Sequence, residues 1–488
     1  MTLAEVASAV SGRLIGPAEA RVAGQAHTDS REVAPGDLFF ARRGESTDGH
    51  LYAGQAVAQG AAVLIVEREL DVAAAEGEHI ATPQIVVADA TLALGALAAH
   101  NVRRAKEGAL RHVVGVTGSN GKTTTKNLIA AMAEKLGPTV SNIRSFNNEV
   151  GGPVTMLRVS EETRTLVSEM GANAEGDIEA LVQMARPNIG VVLAVGLAHA
   201  GGFGSIETTF RTKSEMVREL PESAVAVLNR DDPWVSKMAE LTSARVVWFG
   251  QHQAADVRAS DVDGSASGTE FTLHARGESL PVRFRVLGEH HVSNALAATA
   301  VALELGMSLT QIVEVLEAAT VAAPGRMQPF AGRDGITVID DAYNANPDSM
   351  SAALKTLARI RKPNGRSVAV LGAMAELGEL AGEQHDRLGL QVVRLGISEL
   401  VVVGAEARRL HISSINEGSW DGESVYFEES AEALRYLADT VRPNDTVLVK
   451  ASNSAGLQRL AGELAAILAP ETTDAPAHIV DAREEGRA

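Results

Sequence analysis

Cysteine is absent from the 488-residue chain, which excludes disulfides, thiolate nucleophiles and cysteine-ligated zinc or iron-sulfur clusters. Any metal must be held by oxygen or imidazole ligands. Aromatic residues are scarce at 3%, leaving few faces on which nucleobases could stack. Basic residues are outnumbered, with Lys+Arg 44 against Asp+Glu 62 and a formal net charge of -18, and such a balance repels a phosphate backbone. Nucleic acid is therefore not an expected partner. No apolar run approaches the roughly 18 residues that a membrane span needs. The opening residues Met1 to Glu5 carry no basic segment of the kind that begins a secretory signal. A cytoplasmic protein, not embedded in a membrane, is expected.

What is present is a globular balance of 45% hydrophobic and 22% charged residues. At roughly 100 to 200 residues per domain, the length predicts about three domains. Residues 1–107 read as a small α/β domain, with an amphipathic start at 3–15, a strand at 37–41, an apolar run at 62–67 and a helical stretch at 92–106. From 108 to 325, apolar runs at 111–116, 165–170, 189–195, 224–228 and 245–249 are spaced by helical segments. That rhythm predicts a parallel sheet covered on both faces. Two alternating runs, 269–274 and 281–286, interrupt it as a hairpin insert. Residues 326–470 repeat the strand-helix rhythm with strands at 336–340, 367–371, 400–403 and 446–450, which predicts a third, Rossmann-like α/β domain. The polar stretch 471–488 has no periodicity and is expected to be a disordered tail.

The strongest local signal is Gly115-Val-Thr-Gly118-Ser119-Asn120-Gly121-Lys122-Thr123-Thr124-Thr125, between a predicted strand and a helix expected at 127–136. A glycine-rich turn entering a helix presents unpaired N–H groups and the positive end of the helix dipole, which together cradle phosphate. Lys122 is placed to reach terminal phosphates and the Thr123 hydroxyl to ligate Mg²⁺. The loop is shorter than the common P-loop template, which would need glycine where Val116 stands. A GTP switch would normally add Asn-Lys-x-Asp, and the nearest segment, Asn229-Arg230-Asp231-Asp232, lacks the lysine and reads as a loop after a strand. Glu169 ends a second apolar run and is a candidate hard oxygen ligand for Mg²⁺.

The phosphate loop, together with Ser168-Glu169-Met170-Gly171-Ala172-Asn173, resembles the Mur ligase superfamily of ATP-dependent amide-bond ligases. Matching segments run from Asp29-Ser30-Arg31 and Asp48-Gly49-His50 to Val449-Lys450. The resemblance implies a P-loop ATPase domain flanked by a substrate domain and a ligase domain. It also implies ATP-binding residues Gly118, Ser119, Asn120, Gly121, Lys122, Thr123, Thr124, Asn294, Arg326 and Asp341. Metal ligands would be Thr123, Glu169, His199 and Lys213, the last as a carbamate, for two Mg²⁺ ions. Lys122, Glu169, His199, Lys213 and Arg326 would be the catalytic set. Ser30 and Arg31 would hold the UDP part of one substrate, and Asn147, Asn148, Asn344 and Asn346 would be further substrate-binding residues.

Ser145-Phe-Asn147-Asn148-Glu-Val-Gly-Gly-Pro153 and Asp340-Asp341-Ala-Tyr-Asn344-Ala-Asn346-Pro-Asp-Ser-Met350 are similar to the branch that adds D-alanyl-D-alanine to a UDP-muramoyl tripeptide. The expected activity is ATP-dependent peptide ligation through an acyl phosphate, by a monomer acting on small molecules. His291, Ala373 and Asn453 depart from the family pattern, which has Asn, an acidic residue and Arg at those places. Alternatives are another ligase of the superfamily, such as an amino-acid-adding muramoyl ligase or a folylpolyglutamate synthase, and a nucleotide-dependent binding protein without catalysis.

Overall fold

The computed structural model describes residues 1–44, 47–71, 82–143, 145–196, 204–320, 324–417 and 423–469. The expected tail at 471–488 lies outside them. Three sheets organise the described residues into three α/β domains. These fall into two compact units, the first made of Met1–Arg326 with Asn346–Ala352 and Ala375–Gln384, the second of the remaining C-terminal residues.

The N-terminal sheet has five strands in the order Arg13–Ile15, Gln84–Val86, Val63–Val66, Leu38–Phe40, Ala26–His27. All neighbours run parallel except the edge strand Arg13–Ile15. The amphipathic pattern over residues 3–15 is thus split: the helix Leu3–Ala9 carries a capping box from Thr2 and Glu5, and the chain then turns into that edge strand. Leu3, Val6 and Val10 pack with Phe40, Ile65 and Leu94 in the core of this domain.

The central sheet has nine strands, in the order Glu278–Phe284, Gly268–Ala275, Val257–Ser265, Arg245–Gly250, Val225–Asn229, Ile189–Val192, His112–Thr117, Thr165–Glu169, Thr139–Ser141. From Arg245–Gly250 to Thr139–Ser141 every pairing is parallel. Val63–Val66, Thr165–Glu169 and Ile189–Val192 are buried at every residue, as strands covered on both faces must be. The expected hairpin insert is a three-stranded antiparallel extension, because Val257–Ser265 joins it as a third strand. Its polar alternation, with Asp261 and Asp263 turned outward, hides it from a search for apolar runs.

The strand order reverses beside His112–Thr117. The chain leaves that strand for Thr139–Ser141 and Thr165–Glu169 on one side, then crosses to Ile189–Val192 on the other. Such a reversal opens a crevice at the carboxyl ends of the strands, where open α/β sheets bind ligands. The phosphate loop follows the strand at this point.

The second unit holds a six-stranded sheet, ordered Gln328–Ala331, Thr337–Asp340, Thr446–Lys450, Ser367–Leu371, Glu399–Val403, Ser424–Phe427. It is parallel apart from Gln328–Ala331. Arg366 braces its amino-terminal edge, donating to Asp445 and Glu399, each at 2.7 Å, and to the Thr440 carbonyl at 2.8 Å. Among the described residues, no helix is long and apolar enough to cross a membrane.

Candidate active site

The loop Gly118–Gly121 leaves a buried strand and enters the helix Lys122–Glu134, which begins at the lysine rather than at residue 127. Gly121 is the reason for the early start. It caps the helix at φ +82°, a left-handed conformation open to glycine at no steric cost. A Cβ there would also lie 2.2 Å from Asn294 Oδ1. The loop is fixed on its other side by Ser119, whose N–H donates to the Ala194 carbonyl and whose hydroxyl accepts from Gly196 N–H, both at 2.9 Å. Helix-terminal N–H groups are therefore held in place before any anion arrives. Lys122 Nζ donates to the carbonyls of Gly118 and Ser119 at 2.7 and 3.4 Å. Burial holds its pKa below the ordinary lysine value, with Glu169 opposing and Arg326 adding to that shift.

Glu169 ends the neighbouring strand, opposite Val116, and is 1% exposed. Its Oε1 accepts from Asn147 Nδ2 at 2.7 Å and from the Thr123 hydroxyl at 3.2 Å. Its Oε2 is buried without a hydrogen-bond partner among the described residues. A buried carboxylate oxygen left bare is costly unless a cation or donor completes it. Among the described residues no three His, Asp or Glu side chains gather as a chelate. A cation here would take Glu169, the Thr123 hydroxyl, phosphate oxygens and water, the set that Mg²⁺ prefers.

Lys213 lies on the helix Ile206–Arg218, started by Ser205, whose hydroxyl accepts from Thr208 N–H at 3.2 Å. The apolar face of that helix carries Lys213 into the protein, where it is 2% exposed. Burial, first, and the charge of Lys122 push its pKa down to about 7, against the opposing pull of Glu215 and Asp177. Glu215 is itself committed to the N-terminus of the helix Asp177–Ala185, accepting from Gly176 and Glu179 N–H at 2.8 and 3.0 Å. His199 lies outside the described residues.

The chain matches three family models: "Mur ligase family, catalytic domain" over residues 26–102, "Mur ligase middle domain" over 116–302 and "Mur ligase, glutamate ligase domain" over 325–453. It is 44% identical to a UDP-N-acetylmuramoyl-tripeptide–D-alanyl-D-alanine ligase of Mycobacterium tuberculosis, over 96% of this chain and 98% of the relative. The chain belongs to the Mur ligase family. An Escherichia coli relative of the same name is 35% identical over 89% of this chain and 92% of its own. A crystal structure of MurF from Acinetobacter baumannii superposes with a TM-score of 0.84 at 32% identity, covering 95% of this chain and 98% of the other. MurF from Thermotoga maritima in complex with ADP gives 0.78 at 28% identity, covering 91% and 98%.

In this Mur ligase Arg326 joins the phosphate loop, its Nη2 donating to the Thr123 hydroxyl at 3.2 Å. Thr124 is buried in the first turn of the loop helix, and Asn120 is partly exposed on the loop. Asn294 accepts from the Thr125 hydroxyl at 3.3 Å and places its amide 3.1 Å from His291 Nδ1, so His291 supports Asn294 from within the same helix. Asp341, in the second unit, accepts from Met327 N–H at 3.0 Å and pairs with Lys450 Nζ at 2.7 Å. Asn344 and Asn346 both precede the helix Pro347–Arg359: Asn344 Oδ1 accepts from Ala345 N–H, and Asn346 Oδ1 from Ser349 N–H in its first turn, both at 2.9 Å.

In the N-terminal domain Ser30 is buried, donating to Gln55 Oε1 at 2.9 Å, while Arg31 is exposed and paired with Asp29 at 2.7 Å. Asn148 accepts from Gly151 N–H at 3.0 Å at the start of the helix Gly151–Leu157. Beside Asn147 the surface sinks into a cavity of about 280 Å³, lined in part by Phe146, Asn148, Asn173 and Asp177. The segment Asn229 to Asp232 braces the site: Asn229 Nδ2 donates to the Leu193 carbonyl at 2.8 Å, and Asp232 accepts from Val195 N–H at 3.0 Å.

Two residues of this network, Asn142 and Lys126, carry no motif signal, and a third, Ser145, opens a matched segment without a role assigned to it. Asn142 Oδ1 accepts from Glu169 N–H at 2.6 Å, Lys126 Nζ donates to the Asn142 carbonyl at 2.7 Å, and the Ser145 hydroxyl lies 3.0 Å from that of Thr123. Lys126 has one legible trait, its position one helical turn after Lys122, on the same face.

Proposed function

We propose that this Mur ligase joins D-alanyl-D-alanine to UDP-N-acetylmuramoyl tripeptide, with ATP as energy source, in the synthesis of peptidoglycan precursor. The observation that carries the reading is the near full-length match, at 44% identity, to relatives named for that reaction. The phosphate loop and the carboxylate beside it support it.

The chemistry is phosphoryl transfer followed by acyl transfer. The terminal carboxylate of the tripeptide attacks the γ-phosphorus of ATP, the bond to the β-γ bridging oxygen breaks, and ADP leaves. The product is an acyl phosphate. The free amine of D-alanyl-D-alanine then attacks the acyl carbon, loses a proton and expels inorganic phosphate, leaving an amide. The loop N–H groups bind the phosphates, and Lys122 and Arg326 offset charge on the transferred group. Thr123 and Glu169 would hold a Mg²⁺ ion, whose contribution is to neutralise phosphate charge and align the oxygens. The cavity beside Asn147 suits the acceptor peptide, since Asn148, Asn173 and Asp177 offer both donors and acceptors. ATP and a UDP-linked substrate place the reaction in the cytoplasm.

Lys213 works in this reading as a carbamate. A neutral amine attacks CO₂, a C–N bond forms and a proton departs, so the buried cation becomes an anion suited to supporting a second Mg²⁺. A lysine whose pKa is pushed down to about 7 has the neutral amine that this requires.

The test is ADP release with Mg²⁺-ATP, UDP-muramoyl tripeptide and D-alanyl-D-alanine, omitting each in turn, with the product weighed by mass spectrometry. Release that needs all components, with the pentapeptide mass appearing, is expected. Acceptor-independent release, or a product only with a single amino acid, overturns the reading.

A further inference from the structure

Glu169 is gripped from two directions by a single loop. Strand Thr139–Ser141 runs into Asn142, whose side-chain oxygen accepts from the Glu169 N–H at 2.6 Å. The Asn142 amide donates back to the Phe146 carbonyl, which closes the loop on itself. Five residues past Asn142, Asn147 Nδ2 donates to Glu169 Oε1 at 2.7 Å. The Asn147 carbonyl also accepts from Gly171 N–H at 2.8 Å, two residues beyond Glu169. Gly171 leaves the room this needs, because a Cβ there would stand 2.5 Å from Asn147 Oδ1. The loop start is fixed by Lys126, itself 2% exposed, through the Asn142 carbonyl.

This grip is one-sided with respect to the carboxylate. Asn147 and Thr123 both donate to Oε1, while Oε2 is buried with no donor among the described residues. Each carboxylate oxygen offers two acceptor sites, so Oε1 can take both donors while Oε2 stays open. Two donors on one oxygen, with the main chain of the same residue held, set its torsion and leave Oε2 as the presented atom.

We infer that Asn147 is a positioning residue for the metal: it orients Glu169 so that Oε2 is fixed as a cation ligand. The inference rests on Glu169 being that ligand and changes the role first expected for Asn147, from substrate binding to brace. Outer partners of this kind commonly set metal affinity by about 10 to 100-fold.

The experiment measures Mn²⁺ binding by electron paramagnetic resonance, on the full chain with the ATP analogue AMP-PNP and without muramoyl peptide. Asn147→Ala should raise the Mn²⁺ dissociation constant at least about tenfold. Its melting temperature and its affinity for AMP-PNP without metal should stay close to those of the parent. If Asn147→Ala fails to fold, Asn147→Gln, which keeps the amide but displaces it by one methylene, should show the same loss. Glu169→Gln is the control. If it weakens Mn²⁺ binding and the Asn147 variants do not, the positioning role is overturned and the ligand assignment stands. If Glu169→Gln itself leaves Mn²⁺ binding unchanged, both fall. A raised peptide KM with unchanged Mn²⁺ affinity would make Asn147 a substrate contact and overturn the inference.

Discussion

The Thr123 hydroxyl stands 3.2 Å from Glu169 Oε1, although 46 residues separate them in sequence. The contact joins the first turn of the loop helix to the end of the adjacent strand, and Arg326 reaches the same hydroxyl at 3.2 Å. A nucleotide phosphate, a hard cation and a guanidinium can thus converge on one small volume.

Glu169→Gln keeps the shape of that meeting point and removes its charge. Turnover should fall roughly 100-fold or more, as expected when one charged group is lost from a phosphoryl-transfer site. The Mg²⁺ concentration for half-maximal rate should rise with it. A Mg²⁺ titration of ADP release measures both, and an unchanged titration contradicts the role given to Glu169.

Gly121→Ala places a methyl group where Asn294 Oδ1 lies 2.2 Å from the ideal Cβ, on a backbone at φ +82°. Either the loop or Asn294 must move. ATP affinity should drop roughly tenfold or more, since backbone strain and a lost contact together amount to at least about 1.4 kcal/mol. Isothermal titration with AMP-PNP reads this directly. Ser119→Ala leaves the glycine conformation intact and should have a smaller effect.

Lys213→Ala should lose activity by roughly 100-fold, and acetate or formate should restore part of it by replacing the carbamate oxygens. Carbon-13 NMR of the parent protein in ¹³CO₂-bicarbonate should show a carbamate signal that is absent from the variant. Full activity in Lys213→Ala, or no such signal in the parent, removes the carbamate.

Asp340 provides a pH test within the second unit. Burial and the adjacent Asp341 raise its pKa to about 6 from the usual 3.8, against the opposing charge of Lys450. Between those two values the folded state holds a proton that the unfolded chain has released, so stability falls as pH rises through this window. Asp340→Asn removes the ionisation and leaves Oδ1 to accept from Ala342 N–H. The variant should match the parent near pH 4 and exceed it by roughly 1 to 3 kcal/mol above pH 6. Urea unfolding at several pH values measures the gap, and a gap that does not grow with pH contradicts the assignment.

Much of the site was legible locally. A strand, a glycine turn and Lys122-Thr123 specify a phosphate cradle within a dozen residues, because the helix terminus that binds the anion is built by the chain segment that names it. Full burial of parallel strands likewise showed through as short apolar runs. Polar edge strands did not: Val257–Ser265 alternates with an exposed acidic face, and Arg13–Ile15 continues the periodicity of the helix before it.

Composition, periodicity and local motif were enough for the α/β class, the phosphate loop and the acidic, cysteine-free chemistry open to this Mur ligase. That Thr139–Ser141 lies outside Thr165–Glu169, and that the strand order reverses beside the loop, is visible in the folded sheet alone. That order brings Asn142 and Asn147 against Glu169, and the packing of the helix His290–Glu304 brings Asn294 against Gly121. The physical reason is that periodicity records which face of a strand is buried, whereas a strand's neighbours are chosen by packing and pairing between segments far apart in sequence.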